Sequence, residues 1–113
     1  MTDPNSGTDV LERVFEVIRD RRGDDAETSN TARLFAKGRA KIAQKVGEEA
    51  TEAIVAALAE TPERLAAESA DLLYHLMVLW AEVGITPDEV WAELGRREGL
   101  PSGRQADAET ETS

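Results

Sequence analysis

The chain has 113 residues, of which 23 are acidic and 13 basic, for a formal net charge of −10. That balance excludes general attraction to nucleic acid or to anionic membranes, while leaving room for one small basic pocket. The absence of cysteine excludes disulfides and thiolate metal sites, and a single histidine, His75, excludes a histidine-rich zinc centre. The length fits one domain with tails, small enough that oligomerisation is a natural way to complete its core. Met1 to Gly7 carry no signal-peptide pattern. The longest apolar stretch, Leu72 to Ala81, is interrupted by His75 and is too short for a membrane span. A soluble cytoplasmic protein is expected.

Residues 1–8 read as a disordered lead-in. Asp9 with Glu12 fits a capping box, and Val10, Leu11, Val14, Phe15, Val17 and Ile18 recur at helical spacing, which predicts a helix ending near Asp20 or Arg21. Arg22 to Thr28 is a loop. Ser29 or Asn30 can cap a short helical turn carrying Leu34 and Phe35, which Gly38 interrupts. A long alanine-rich helix follows from about Arg39 to Ala59. Thr61-Pro62 is the start signal of another, with Thr as N-cap and Pro at the first helical position, and Gly84 is its left-handed stop. Thr86-Pro87-Asp88-Glu89 repeats the device with a capping box for a last helix through Val90, Trp91 and Leu94. Residues 99–113 are small, polar and charged, and read as a disordered tail. No strand is predicted. The fold class is all-α, a compact bundle of about four main helices over residues 9–98.

The helix from Pro62 to Val83 changes character midway. Leu72, Leu73, Leu76, Met77, Val78, Leu79 and Trp80 cover nearly its whole circumference. A helix apolar all round must be buried all round. A chain of this size cannot easily surround it, so a homodimer is expected.

Two acidic patterns carry the chemistry: Glu48-Glu49-Ala50-Thr51-Glu52 and Glu68-Ser69-Ala70-Asp71. Each places carboxylates three or four residues apart, on one helical face. Such pairs are usually solvated surface. Here the second pair immediately precedes the most apolar segment. At about 1.5 Å per residue, a hairpin turning near Thr61 lets Glu52 and Glu68 lie near one level. Five carboxylates in one place repel unless a cation sits among them, and oxygen-only ligands suit Mg²⁺ or Mn²⁺. Mg²⁺ held this way usually bridges to phosphate oxygens.

Lys41 and Lys45 lie in the N-terminal half of their helix, against its dipole, and Lys45 precedes Glu48 and Glu49 in the less favourable order for helix pairing. Together with Lys37 and Arg39 they lead into the acids and are candidates to hold substrate phosphates; a solvated basic patch is the competing reading. His75 is four residues after Asp71 and shares its face. A lone histidine in an apolar helix is more often packed core than catalyst, so a direct substrate contact is the secondary reading.

Three segments, Ser29 to Gly38, Lys41 to Glu52 and Glu68 to Leu76, closely resemble phosphoribosyl-ATP pyrophosphatase of histidine biosynthesis, over roughly residues 9–98. The acidic pairs alone would indicate only the wider all-α nucleoside triphosphate pyrophosphohydrolase superfamily. The resemblance implies Mg²⁺-dependent hydrolysis of phosphoribosyl-ATP to phosphoribosyl-AMP and pyrophosphate. Glu48, Glu49, Glu52, Glu68 and Asp71 would be the metal ligands or water-orienting bases; Lys37, Arg39, Lys41 and Lys45 would bind phosphates, and Thr31 and His75 would contact substrate. Asn30 stands where the family often carries an aromatic residue, a departure that bears on a stacking contact rather than on the metal site. The family is often fused to a zinc-dependent cyclohydrolase; with no cysteine here, a stand-alone form is expected. Two rival functions share some of these features: a house-cleaning nucleotide pyrophosphohydrolase, and a non-enzymatic helical dimerisation module.

Overall fold

The described residues form five α-helices: α1 (Gly7–Arg21), α2 (Asn30–Lys37), α3 (Arg39–Ala59), α4 (Pro62–Val83) and α5 (Pro87–Arg97). The computed structural model describes residues 7–100, and among these there is no strand. Residues 1–6 of the expected lead-in and residues 101–113 of the expected tail lie outside the described residues. The all-α class stands as expected. The short helical turn around Leu34 and Phe35 is the eight-residue helix α2, which stands beside four longer helices among the described residues. α1 begins at Gly7, which places Asp9 in its first turn rather than at its N-cap; there the carboxylate still complements the positive end of the helix.

Local chemistry sets the boundaries. The Ser29 hydroxyl accepts from Ala32 N at 3.1 Å and caps α2. Gly38, at φ 95°, closes α2 through its N–H to Phe35 O and hands its own carbonyl to Ile42 N, the first bond of α3. A residue with a Cβ would be strained at that φ. Thr61 caps α4, its hydroxyl accepting from Arg64 N at 3.1 Å, and Gly84 ends it in the left-handed conformation. The predicted capping box at α5 is complete: Thr86 and Glu89 bond each other's backbone N–H.

α4 is the central element. The buried core joins Phe15 and Ile18 of α1, Ile42 of α3, and Met77, Val78, Trp80 and Ala81 of α4. α5 closes one end, where Trp91 meets Trp80 edge to face at 6.3 Å and donates to Glu12 Oε2 of α1. Arg22, just beyond α1, ties three elements: it donates to Ala81 O at 2.8 Å, pairs with Glu82, and lies over the Phe35 ring of α2. The longest helix interface is the antiparallel pair α3 and α4, joined by the tight turn at Glu60 and Thr61.

The apolar circumference of α4 is only partly covered within one chain. Met77 and Val78 are buried, whereas Leu73 is exposed, as are Ile54, Val55 and Leu58 on α3.

Ile42 is fully buried where α1, α3 and α4 meet. Ile42→Ala should lower stability by about 2–5 kcal/mol, read from the urea midpoint, with helical circular dichroism retained in the absence of denaturant.

Candidate active site

The turn at Glu60 and Thr61 folds α4 back along α3 and brings acids from both helices together. Glu49, Glu68 and Asp71 each offer a carboxylate oxygen, all within 4.8 Å of one another. Glu49 and Glu68 are each only 6% exposed, and Asp71 is at the surface. Glu49 Oε1 and Glu68 Oε1 are buried and meet no hydrogen-bond partner among the described residues. Buried carboxylate oxygens rarely stay so without a reason, because the desolvation is large and nothing offsets it. Glu52 lies beside them at the rim, exposed, and its charge and that of Glu68 oppose each other.

Burial pushes the Glu68 carboxyl above the usual carboxylate range. Arg64 pulls it down, Glu52 and Asp71 push it further up, and the net direction is upward. Arg64 donates to Glu68 Oε2 and also pairs with Glu60 at 3.4 Å. On the α3 side, Lys45 Nζ lies 3.5 Å from Glu49 and 3.7 Å from Glu48.

Glu48 is not brought into the acidic group. One residue along a helix is a rotation of about 100°, so while Glu49 turns inward Glu48 faces solvent, about half exposed. Its carboxylate accepts from Gln44 Nε2 at 3.0 Å. That hydrogen bond, reinforced by Lys45 and Lys41, holds Glu48 below its ordinary pKa.

Two adjoining cavities lie on the lysine side. One, of about 480 Å³, is lined by Leu34, Lys37, Lys41, Gln44, Lys45 and Glu48. The other, of about 240 Å³, is lined by Asn30, Arg33, Leu34, Lys37, Lys45 and His75. Lys37 and Lys45 belong to both. His75 donates from Nδ1 to Asp71 O at 2.7 Å, which leaves Nε2 for the cavity. The structure thus places Lys37, Lys41 and Lys45 around one cavity and Lys37, Lys45 and His75 around the other. It places Arg39 elsewhere, 4.0 Å from Glu82 and lining neither cavity. Thr31 is buried, its hydroxyl bonded to Tyr74.

Three residues escaped the sequence reading. Arg64 stands four residues before Glu68, a spacing from which the pair was legible. Gln44 and Arg33 line the cavities from within segments that had been recognised, but nothing in their own spacing marked them.

The site is that of an all-α protein in which a helical hairpin converges carboxylates from two helices, with lysine-lined cavities alongside. Comparison with known proteins narrows the class. The family model described as phosphoribosyl-ATP pyrophosphohydrolase matches residues 11–98. A phosphoribosyl-ATP pyrophosphatase of Rhodospirillum rubrum is 60% identical over 96 residues, covering 85% of this chain and 82% of that protein. Another, from Paramagnetospirillum magneticum, is 59% identical over 90 residues, covering 80% and 83%. The Azospirillum brasilense protein of the same name is 52% identical over 99 residues, covering 88% and 89%. The chain belongs to the phosphoribosyl-ATP pyrophosphohydrolase family.

Because its folded-state pKa is raised, ionised Glu68 destabilises the metal-free fold. That penalty is absent below about pH 4.5, the unfolded value, and grows as pH rises through it towards the folded value. Glu68→Gln should therefore gain stability relative to the parent between pH 4 and pH 7, in thermal melts with EDTA. A gap that is constant or reversed with pH would contradict the assigned shift.

Proposed function

We propose that the protein hydrolyses phosphoribosyl-ATP to phosphoribosyl-AMP and pyrophosphate, a step of histidine biosynthesis, with Mg²⁺ held by Glu49, Glu52, Glu68 and Asp71. The observation that carries the reading is the pair of buried, unpartnered carboxylate oxygens beside lysine-lined cavities, in a chain of this family. The donor set fits: four carboxylates offer hard oxygen ligands only, the chemistry Mg²⁺ and Mn²⁺ select. When bound, the ion neutralises phosphate charge and lowers the pKa of a water.

The rest falls to the chain's own side chains. Lys37, Lys41 and Lys45 offer ammonium groups along the cavity walls. As the bond between the α and β phosphates breaks, negative charge gathers on the departing pyrophosphate, and fixed ammonium groups stabilise it there more than in the ground state. Glu48, kept ionised by Gln44 and the lysines, is the acid on the cavity wall and is suited to orient the attacking water rather than to ligate. Lys45 touches both functions, since it pairs with the buried Glu49 and lines both cavities. Arg39 and Thr31 are the weakest of the proposed contacts, one paired with Glu82 and the other with Tyr74. A soluble biosynthetic substrate suits a cytoplasmic setting.

The decisive assay is pyrophosphate release from phosphoribosyl-ATP against a panel of canonical and damaged nucleoside triphosphates. Preference for phosphoribosyl-ATP is expected; preference for damaged nucleotides would turn the reading to house-cleaning. In the same assay Lys45→Met should lower kcat/KM about ten- to a hundredfold, since a charged hydrogen bond contributes roughly 1.5–3 kcal/mol. Normal turnover by the variant would remove the lysine from the phosphate site.

We further infer a homodimer that covers the exposed apolar residues of α3 and α4. Leu58, at 84% exposure, is the clearest probe, because the single chain gives it almost no packing. Leu58→Asp should keep its helical spectrum and sediment as a monomer. Met77→Asp would test the core instead, since Met77 is already buried within one chain. Parent protein sedimenting as a monomer at micromolar concentration would overturn the assembly.

A further inference from the structure

α4 carries a cation that reaches the acidic group from the side opposite Lys45. Arg64, one turn before Glu68, donates through Nη2 to Glu68 Oε2 and through Nε to Glu60 Oε1. The two oxygens of Glu68 are thereby divided. Oε2 is engaged by the guanidinium, whereas Oε1 is buried and meets no partner among the described residues. Glu49 is equally buried and equally carries one unpartnered oxygen, and it lies with Asp71 in the same group.

The last torsion of a glutamate is broad and roughly two-fold, so an isolated carboxylate turns readily. A guanidinium fixed on one oxygen removes that freedom. We infer that Arg64 is a positioning residue for a divalent cation: by holding Oε2 of Glu68 it presents Oε1 to the ion that Glu49 and Asp71 also face. This rests on the metal reading given above and adds to it a residue that touches neither metal nor substrate.

Two effects of Arg64 oppose each other. Its positive charge repels the incoming cation, and its hydrogen bond preorganises the ligand. The Arg64 side chain is 56% exposed and Glu68 8%, so the repulsion is screened by solvent while the constraint acts on a buried group. Preorganisation is the larger effect. Groups that orient metal ligands from outside typically change affinity ten- to a hundredfold when removed.

The test is Mn²⁺ binding to the nucleotide-free full chain, measured as loss of the free-ion signal in electron paramagnetic resonance. Circular dichroism in EDTA controls for the fold. Arg64→Met should weaken Mn²⁺ affinity about ten- to a hundredfold at unchanged helix content, and Arg64→Lys should recover part of the loss. Affinity equal to that of the parent would make the pair a simple surface ion pair and overturn the inference. Tighter binding would overturn it too, by showing Arg64 to compete with the ion. Should Arg64→Met fail to fold, Arg64→Lys decides alone: weaker binding than the parent supports the inference, and equal binding overturns it. Parent protein that binds no Mn²⁺ would instead sink the metal reading itself, and this inference with it.

Discussion

Everything distinctive about this chain depends on packing α3 antiparallel to α4, because that contact forces like charges together. Two long helices could separate to relieve the repulsion. They are prevented by the tight turn at Glu60 and Thr61 and by the core around Ile42, Met77 and Val78 further along. Ala56, 1% exposed, leaves room for the helices to approach closely on the turn side of the acids. Apolar packing at one end and chain connectivity at the other thus hold Glu49 and Glu68 where neither would settle alone. The fold holds these acids together against their mutual repulsion.

The cations around these acids are asymmetric. Lys45 and Arg64 lie on opposite helices, each pairing with one buried acid. Beyond Lys45, further positive charge continues into the cavities through Lys41 and Lys37; beyond Arg64 lies the exposed acid Glu60. The potential therefore rises in one direction, from the acids towards the ammonium groups beside α2. The chain's overall negative charge does not contradict this. Acids such as Glu93 on α5, held down to about pKa 2 by Arg96 and Arg97, act as solvated surface.

The helix boundaries were legible because caps are local. Ser29, Thr61, Gly84 and Thr86 each act within one turn, so neighbouring residues suffice to recognise them. The site was legible only as far as its spacing was. Glu49, Glu68 and Asp71, whose carboxylates lie within 4.8 Å of one another, were grouped with Glu52 from periodicity plus a turn, and Glu52 stands exposed beside them. Glu48 was grouped with them because adjacency in sequence hides a 100° turn; only packing decides which of two neighbouring acids faces the partner helix. Arg39 and Thr31 show the same limit. Their positions suggest a site, but their partners, Glu82 and Tyr74, come from α4, more than 40 residues away. No local pattern reports such distant partners.

The hairpin also has an arithmetic of its own. Glu52 and Glu68 stand eight residues either side of Glu60, and Glu49 and Asp71 stand eleven either side. The acids are mirror images about the turn. Adding or removing one residue between Glu52 and Glu68 would shift one helix along the other by about 1.5 Å and rotate its acids by about 100°. Four well-chosen side chains would remain, but they would no longer meet. The invisible requirement of this site is thus a count: the number of residues from each acid to the turn matters as much as the acids do.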